Sequence, residues 1–240
     1  MLAMLPLVGT FIGVITGLVW LALSLMEVGP MLTAVIVAAA YFLLTGFIHL
    51  DGYMDCCDAI LPRHPDMERR REILKDPHNG AFGIISLVIM MAIFIASLYE
   101  ITDHARQGNE GVIWNVAIMF PLLFTVTRGM AASSVLSCKP METSQYAVMS
   151  EDAGGEKYSA GIVTVIVALL ISAIAFILEI RHDEWYGSAF VTGAYVPGFI
   201  AAMITGNLDR RALGGMNGDI SGHMIVTGEM FGMLAAALLV

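Results

Sequence analysis

The chain has 240 residues, 58% of them hydrophobic and only 14% charged, with a mean hydropathy of +0.78. A soluble domain of this length rarely carries so few charges, so composition points to the membrane. The net charge of −9 argues against nucleic acid as a partner, because phosphate backbones are bound through excess Lys and Arg.

Apolar runs of about 20 residues recur along the chain, enough to cross roughly 30 Å of hydrocarbon as helices. In chain order hydropathy predicts helices over Leu2 to Leu25, Met31 to Leu50, Gly83 to Ile101, Val112 to Cys138, Tyr158 to Leu178, Ala189 to Gly206 and Gly222 to Val240. The expected fold is an all-α, polytopic integral membrane helix bundle of about seven transmembrane helices, six being the alternative count, in one catalytic domain spanning residues 1–240. The first residues lack a basic stretch and a small-residue cleavage site, so the first span reads as uncleaved. Gly29-Pro30, Asn79-Gly80, Gly154-Gly155 and the Gly214 to Gly218 stretch mark turns. Interior glycines such as Gly46, Gly129 and Gly198 suit close helix packing. Cys56, Cys57 and Cys138 give no disulfide framework or paired metal-ligand spacing and read as small apolar fillers.

With the N-terminus inside, cytoplasmic loops hold Arg63, Arg69, Arg70, Arg71, Lys75, Lys139, Lys157, Arg210 and Arg211, against Arg106 and Arg181 outside. The same assignment puts the polar, glycine-punctuated segments around Asp51 to Gly83, Lys139 to Lys157 and Asn207 to Gly222 on the cytoplasmic face, where an active site is expected. Glu151, Asp152, Glu156 and Lys157 read as a mobile loop.

The second span is expected to continue as helix through Asp51, Asp55 and Asp58 until Pro62. At about 100° per residue the i, i+4, i+7 spacing fans these carboxylates over about 60° of one face. Neighbouring carboxylates about 6 Å apart repel by roughly 3 kcal/mol at an effective dielectric near 20, before screening. Oxygen-only ligands favour a hard cation, and Mg²⁺ typically takes one or two carboxylates plus substrate phosphates and water. The competing reading is a solvated acidic helix end. Downstream, Lys75-Asp76 and Asn79-Gly80-Ala81-Phe82-Gly83 follow a basic stretch. Such a helix entrance offers free N–H groups to an anion, and Lys75 beside it can neutralise a phosphate. Arg69 to Arg71 read as topology determinants and lipid-headgroup contacts, the alternative being that one of them joins Lys75 at the phosphate. Arg128 inside an apolar span reads as either a substrate contact or a structural ion pair. The run Gly214-Gly215-Met216-Asn217-Gly218-Asp219 is too glycine-dense for ordinary helix. There Asp219 suits a metal, a ligand or an N-cap.

His49-Leu50-Asp51-Gly52 with Asp55 and Asp58, then Lys75-Asp76 and Gly80 to Gly83, then Gly214-Gly215 to Gly218-Asp219 resembles the cobalamin synthase family, the adenosylcobinamide-GDP ribazoletransferases, over nearly the whole chain. The sequence departs from the family pattern at Tyr53-Met54, Ala59, Pro77-His78 and Asn217, none of which removes an acid. The resemblance implies a multi-pass enzyme of the cytoplasmic (inner) membrane that joins adenosylcobinamide-GDP to α-ribazole, or its 5′-phosphate, releasing GMP. Mg²⁺ is the implied metal, with Asp51, Asp55 and Asp58 as its ligands. Asp58 is the first candidate for general base, then Asp76, with Lys75 as catalytic cation. His49, Asn79, Gly80, Gly83, Arg128, Gly215, Asn217 and Asp219 are the expected substrate contacts. A homo-oligomer stays open. A CDP-alcohol phosphotransferase also places Asp at the cytoplasmic end of a helix, but its block has Ala-Arg after the second Asp, where this chain has Asp58-Ala59-Ile60. A cation transporter would carry charges near the midplane of several helices instead.

Overall fold

A computed structural model describes residues 2–108, 110–141, 144, 158–182 and 187–240. The expected loop of Glu151, Asp152, Glu156 and Lys157, with its Gly154-Gly155 turn, lies outside them. The described residues form α1 (Leu5–Leu25, after a short 3-10 turn), α2 (Pro30–Leu44), α3 (Ile48–Ile60), α4 (Met67–Leu74), α5 (Ala81–Gln107), α6 (Glu110–Ser137), α7 (Ser159–His182), α8 (Gly187–Leu213) and α9 (Gly218–Ala237). The protein is therefore an all-helical polytopic membrane bundle.

The Leu2–Leu25 segment, α5, α6 and α7 are long and apolar enough to cross a bilayer, with α2 plus α3 as a bent fifth candidate. Every predicted span contains a helix, but α8 and α9 do not join that apolar set. They carry Asp209, Arg210, Arg211 and Glu229 and pack inside the bundle, α9 against α8, α3, α6 and α5. Burial sorts the crossing helices: 78% of the α6 window is buried but only 11% of that of α7. So α6 is the axis and α7 faces lipid. Phe11, Leu18, Val88, Ile89, Leu169 and Leu170 are all more than half exposed, an apolar surface that a soluble monomer would not display.

Small residues set the spacing around α6. A Cβ on Gly9 would lie 2.3 Å from the Phe124 carbonyl oxygen, and one on Gly13 would lie 2.3 Å from Pro121 Cα. This four-residue stripe lets the α1 and α6 backbones touch, the close approach by which membrane helices gain dispersion energy. Gly198 of α8 and Gly228 of α9 meet in the same way. Beside the stripe Trp20 is fully buried and its indole N–H donates to Thr102 Oγ1 at 2.9 Å.

The main departure from the sequence reading is in the second span. Instead of one helix from Met31 through the aspartates, α2 stops at Leu44 and α3 starts at Ile48, turned by 90°. Gly46 and Phe47 both have φ of 60°, a left-handed pair that no α-helix accommodates. Gly46 is thus a hinge residue and not a packing glycine, since nothing lies within 4 Å of where its Cβ would be. Read with this break, α2 is the membrane limb and α3 lies across the end of the bundle until Leu61-Pro62 stops it. Likewise α8 runs on to Leu213, so Asn207 to Arg211, expected in a loop, are helical.

Candidate active site

The end of the bundle capped by α3 gathers the three polar segments that the sequence places on one face. Residues 139–141 and 214–216 pair through a parallel bridge, Met141 N donating to Met216 O and Met216 N to Lys139 O, each at 2.9 Å. Arg71 Nε of α4 donates to the Leu213 carbonyl at 2.7 Å, satisfying a free carbonyl at the end of α8. Gly214 follows at φ 81°, a conformation that favours glycine.

Asp51, Asp55 and Asp58 lie on α3 at the predicted spacing. Helix α9 meets α3 at two glycines: a Cβ on Gly52 would lie 2.8 Å from Asp219 Cα, and one on Gly222 would lie 3.0 Å from the His49 carbonyl oxygen. That contact brings Asp219 to the triad. Burial first, then the charges of Asp51, Asp219 and Asp58, push the Asp55 carboxyl up to about 7. Asp219 is also raised, by burial and then, less strongly, by Asp51, despite a bond from Asn217. The N-cap of α9 is Asn217, whose Oδ1 accepts from Ile220 N at 3.0 Å while its Nδ2 donates to Asp219 Oδ2 at 2.7 Å. Asp219 is therefore free of capping duty. Asn217, expected to touch substrate, spends its side chain on positioning.

Asp58 has a different setting from its neighbours. It is buried, its Oδ2 accepts from Gly80 N at 2.7 Å and its Oδ1 accepts from Gly83 N at 2.9 Å. The entrance of α5 thus presents these N–H groups to an internal carboxylate, correcting the expectation that Gly80 and Gly83 offer them to a substrate anion. Glycine is required at both positions, since a Cβ on either would fall within 2.5 Å of an Asp58 oxygen. With both oxygens engaged, Asp58 is poorly placed as general base. Asp76 is no better: its carboxyl is held below the usual range by the side chain and N–H of His78, at 2.8 and 3.0 Å. Lys75 and Asn79 are exposed beside it.

Two further expectations shift. Gly215 backs onto residues 140 and 141, where a Cβ would lie 2.7 Å from Met141 N, so it permits a backbone bridge and not a ligand's approach. Arg128 is fully buried and paired with Glu229. Glu229 also accepts from the Tyr41 hydroxyl and, at 3.2 Å, from Thr127 Oγ1, and Arg128 Nη2 donates to Tyr41 at 3.3 Å. Of the two readings open for Arg128, the structural ion pair holds. His49 is half-buried on the first turn of α3. The sequence reading missed Glu229, Asp209 and His223. It also treated Cys56 as filler, although Cys56, Asp209 and His223 form, among the described residues, the one group of three ligand atoms within 4.8 Å of one another.

The aspartate cluster is wider than that. Neither Asp51 nor Asp55 has a hydrogen-bond or ion-pair partner among the described residues. Unpartnered oxygens, mutual repulsion and an oxygen-only donor set fit a hard divalent cation that shares its shell with substrate oxygens and water. Such a site can neutralise phosphates and orient a nucleophile.

A family model described as Cobalamin-5-phosphate synthase matches residues 1–237. Curated relatives named adenosylcobinamide-GDP ribazoletransferase include one from Clostridium perfringens (strain SM101 / Type A), 28% identical over 98% of this chain and 85% of the relative. One from Citrobacter koseri is 30% identical over 96% and 84%, and one from Lachnoclostridium phytofermentans is 27% identical over 97% and 81%. No solved structure matches the chain.

Proposed function

The chain belongs to the cobalamin-5-phosphate synthase family, and from that premise we propose that it joins adenosylcobinamide-GDP to α-ribazole, or its 5′-phosphate, at the cytoplasmic face of the membrane. The observation that carries this reading is the meeting of α3 and α9 at Gly52 and Gly222, which brings Asp219 beside the Asp51–Asp55 face of α3 at one end of the bundle. Breaking a pyrophosphate linkage asks the protein for charge neutralisation and alignment more than for covalent chemistry.

Asp51 and Asp55, with Asp219 opposite, would hold Mg²⁺, which when bound supplies charge neutralisation at the pyrophosphate oxygens. Asp58 fixes the entrance of α5 against α3 and so sets where Lys75, exposed at the end of α4 just before that entrance, meets the substrate phosphates. A ring hydroxyl of the ribazole ribose, free in both α-ribazole and its 5′-phosphate, attacks the phosphorus on the cobinamide side, the bond from that phosphorus to the bridging oxygen breaks, and GMP leaves. The hydroxyl proton passes to an oxygen of Asp51 or Asp55 that the metal would leave unligated, and not to Asp58, the sequence's first candidate, whose two oxygens accept from Gly80 N and Gly83 N.

The test is to incubate detergent-purified protein with adenosylcobinamide-GDP, Mg²⁺ and equal α-ribazole and α-ribazole 5′-phosphate, with mass spectrometry for GMP and each corrinoid product. Product from the native protein that is lost in Asp55→Asn supports the reading. Folded native protein that makes none, or that turns over CDP-alcohol substrates instead, sinks it.

A further inference from the structure

A second cluster lies beside the aspartates and has different chemistry. Cys56 of α3, Asp209 of α8 and His223 of α9 each offer one ligand atom, all within 4.8 Å of one another. They are withdrawn from water: Cys56 is fully buried, Asp209 is 3% exposed, and the His223 side chain is 16% exposed. Asp209 Oδ2 stands 2.7 Å from His223 Nδ1. The Cys56 and Cys57 thiols lie against the same imidazole, and the Tyr53 ring meets it edge-on, centroids 5.1 Å apart.

A carboxylate, an imidazole and a thiol in one buried pocket are poor company for Mg²⁺, which prefers oxygen and keeps its water. They are the donors of zinc, whose closed sites use sulfur and nitrogen with an occasional carboxylate. The three ligands come from three helices, so the sequence spacing gives no hint of them. The geometry points to a binding site for a divalent d-block cation of the zinc class, held by Cys56 Sγ, the His223 ring and the Asp209 carboxylate. The cation binds the thiolate, and the Cys56 proton leaves to solvent. Its role is structural. It ties the helix of Asp51 and Asp55 to the helix of Asp219 and to α8, at a residue adjacent to Asp55 and four residues from Asp219. The acidic ends of α3 and α9, which repel each other, are thereby clasped.

The experiment strips the full-length, detergent-purified protein with a chelator and then titrates it with Zn²⁺ or Co²⁺ alone. The expected result is one tightly held equivalent, thiolate-to-metal charge transfer in the Co²⁺ adduct, and X-ray absorption of the Zn²⁺ adduct with sulfur at about 2.3 Å and nitrogen or oxygen at about 2.0–2.1 Å. Cys56→Ser and His223→Gln each weaken binding by about tenfold or more, while Cys138→Ser leaves it unchanged. A coordination sphere without sulfur in the unaltered protein, or equal binding by the Cys56→Ser and His223→Gln variants, overturns the proposal and leaves a buried Asp–His pair with hydrogen-bonded thiols. The absorption measurement uses the native chain, so a variant that fails to fold cannot decide the question. No activity is read, so the outcome is independent of the transferase reading.

Discussion

Removing Glu229 while keeping Arg128 tests the assignment of Arg128 as a structural residue. Arg128 has no exposed surface, and Glu229 accepts from it, from Tyr41 and from Thr127. In Glu229→Leu a guanidinium stays buried without its counter-charge and two hydroxyls lose an acceptor. Breaking a buried pair in this way costs about 3–5 kcal/mol. At roughly 2–4 °C per kcal/mol for a chain of this size, the melting temperature in detergent should fall by roughly 6–20 °C. The double variant Arg128→Met with Glu229→Leu removes both charges and should recover most of that loss, because the apolar pair pays no desolvation. Its KM for the cobinamide substrate should then stay near the native value. A Glu229→Leu protein that melts like the native one would refute the structural assignment. So would a stable double variant with a strongly raised KM, which would return Arg128 to the substrate.

Other substitutions probe the frame of the site. Asp58→Ala leaves the Gly80 and Gly83 N–H groups without an acceptor and should cost about 0.5–2 kcal/mol, as loss of a helix cap does, read by thermal unfolding. Gly83→Ala puts a Cβ 2.5 Å from Asp58 Oδ2 and 3.0 Å from the Met54 carbonyl oxygen. It should displace α5 from α3 and cut turnover with little effect on overall helix content by circular dichroism. Asn217→Ala removes the α9 cap and frees Asp219, so stability should drop by about 0.5–2 kcal/mol together with a loss of turnover. Gly13→Leu, which drives a side chain into Pro121, should abolish a monodisperse folded species in size-exclusion chromatography.

What the sequence could reveal follows the range of the interactions. Each crossing helix is written in local hydropathy, and Asp51, Asp55 and Asp58 on one α3 face follow from spacing alone. The break at Gly46-Phe47 was hidden because a lone glycine in an apolar run looks the same whether it packs or turns. Its signal was a glycine just ahead of His49-Leu50-Asp51, where a long apolar segment becomes acidic. Arg128 was visible as a charge in an apolar span, but its partner lies 101 residues away. Glu229 was legible by the same logic, as a second lone charge in an apolar segment. Asp58 could be seen as one of three acids, whereas the N–H groups that claim it belong to residues 22 and 25 positions later. Cys56, Asp209 and His223 come together only through the packing of three helices, which no local spacing encodes.

The central claim is that carboxylates from α3 and α9 form one cation site that serves phosphoryl transfer. The most direct measurement is the Mg²⁺ dependence of GMP release by the native chain, Asp55→Asn and Asp219→Asn, each verified as folded. The expected result is saturable Mg²⁺ dependence in the native protein, with the half-saturating concentration raised by about tenfold or more in both variants. GMP release that persists after chelation, or the same half-saturation in Asp219→Asn as in the native chain, would contradict it.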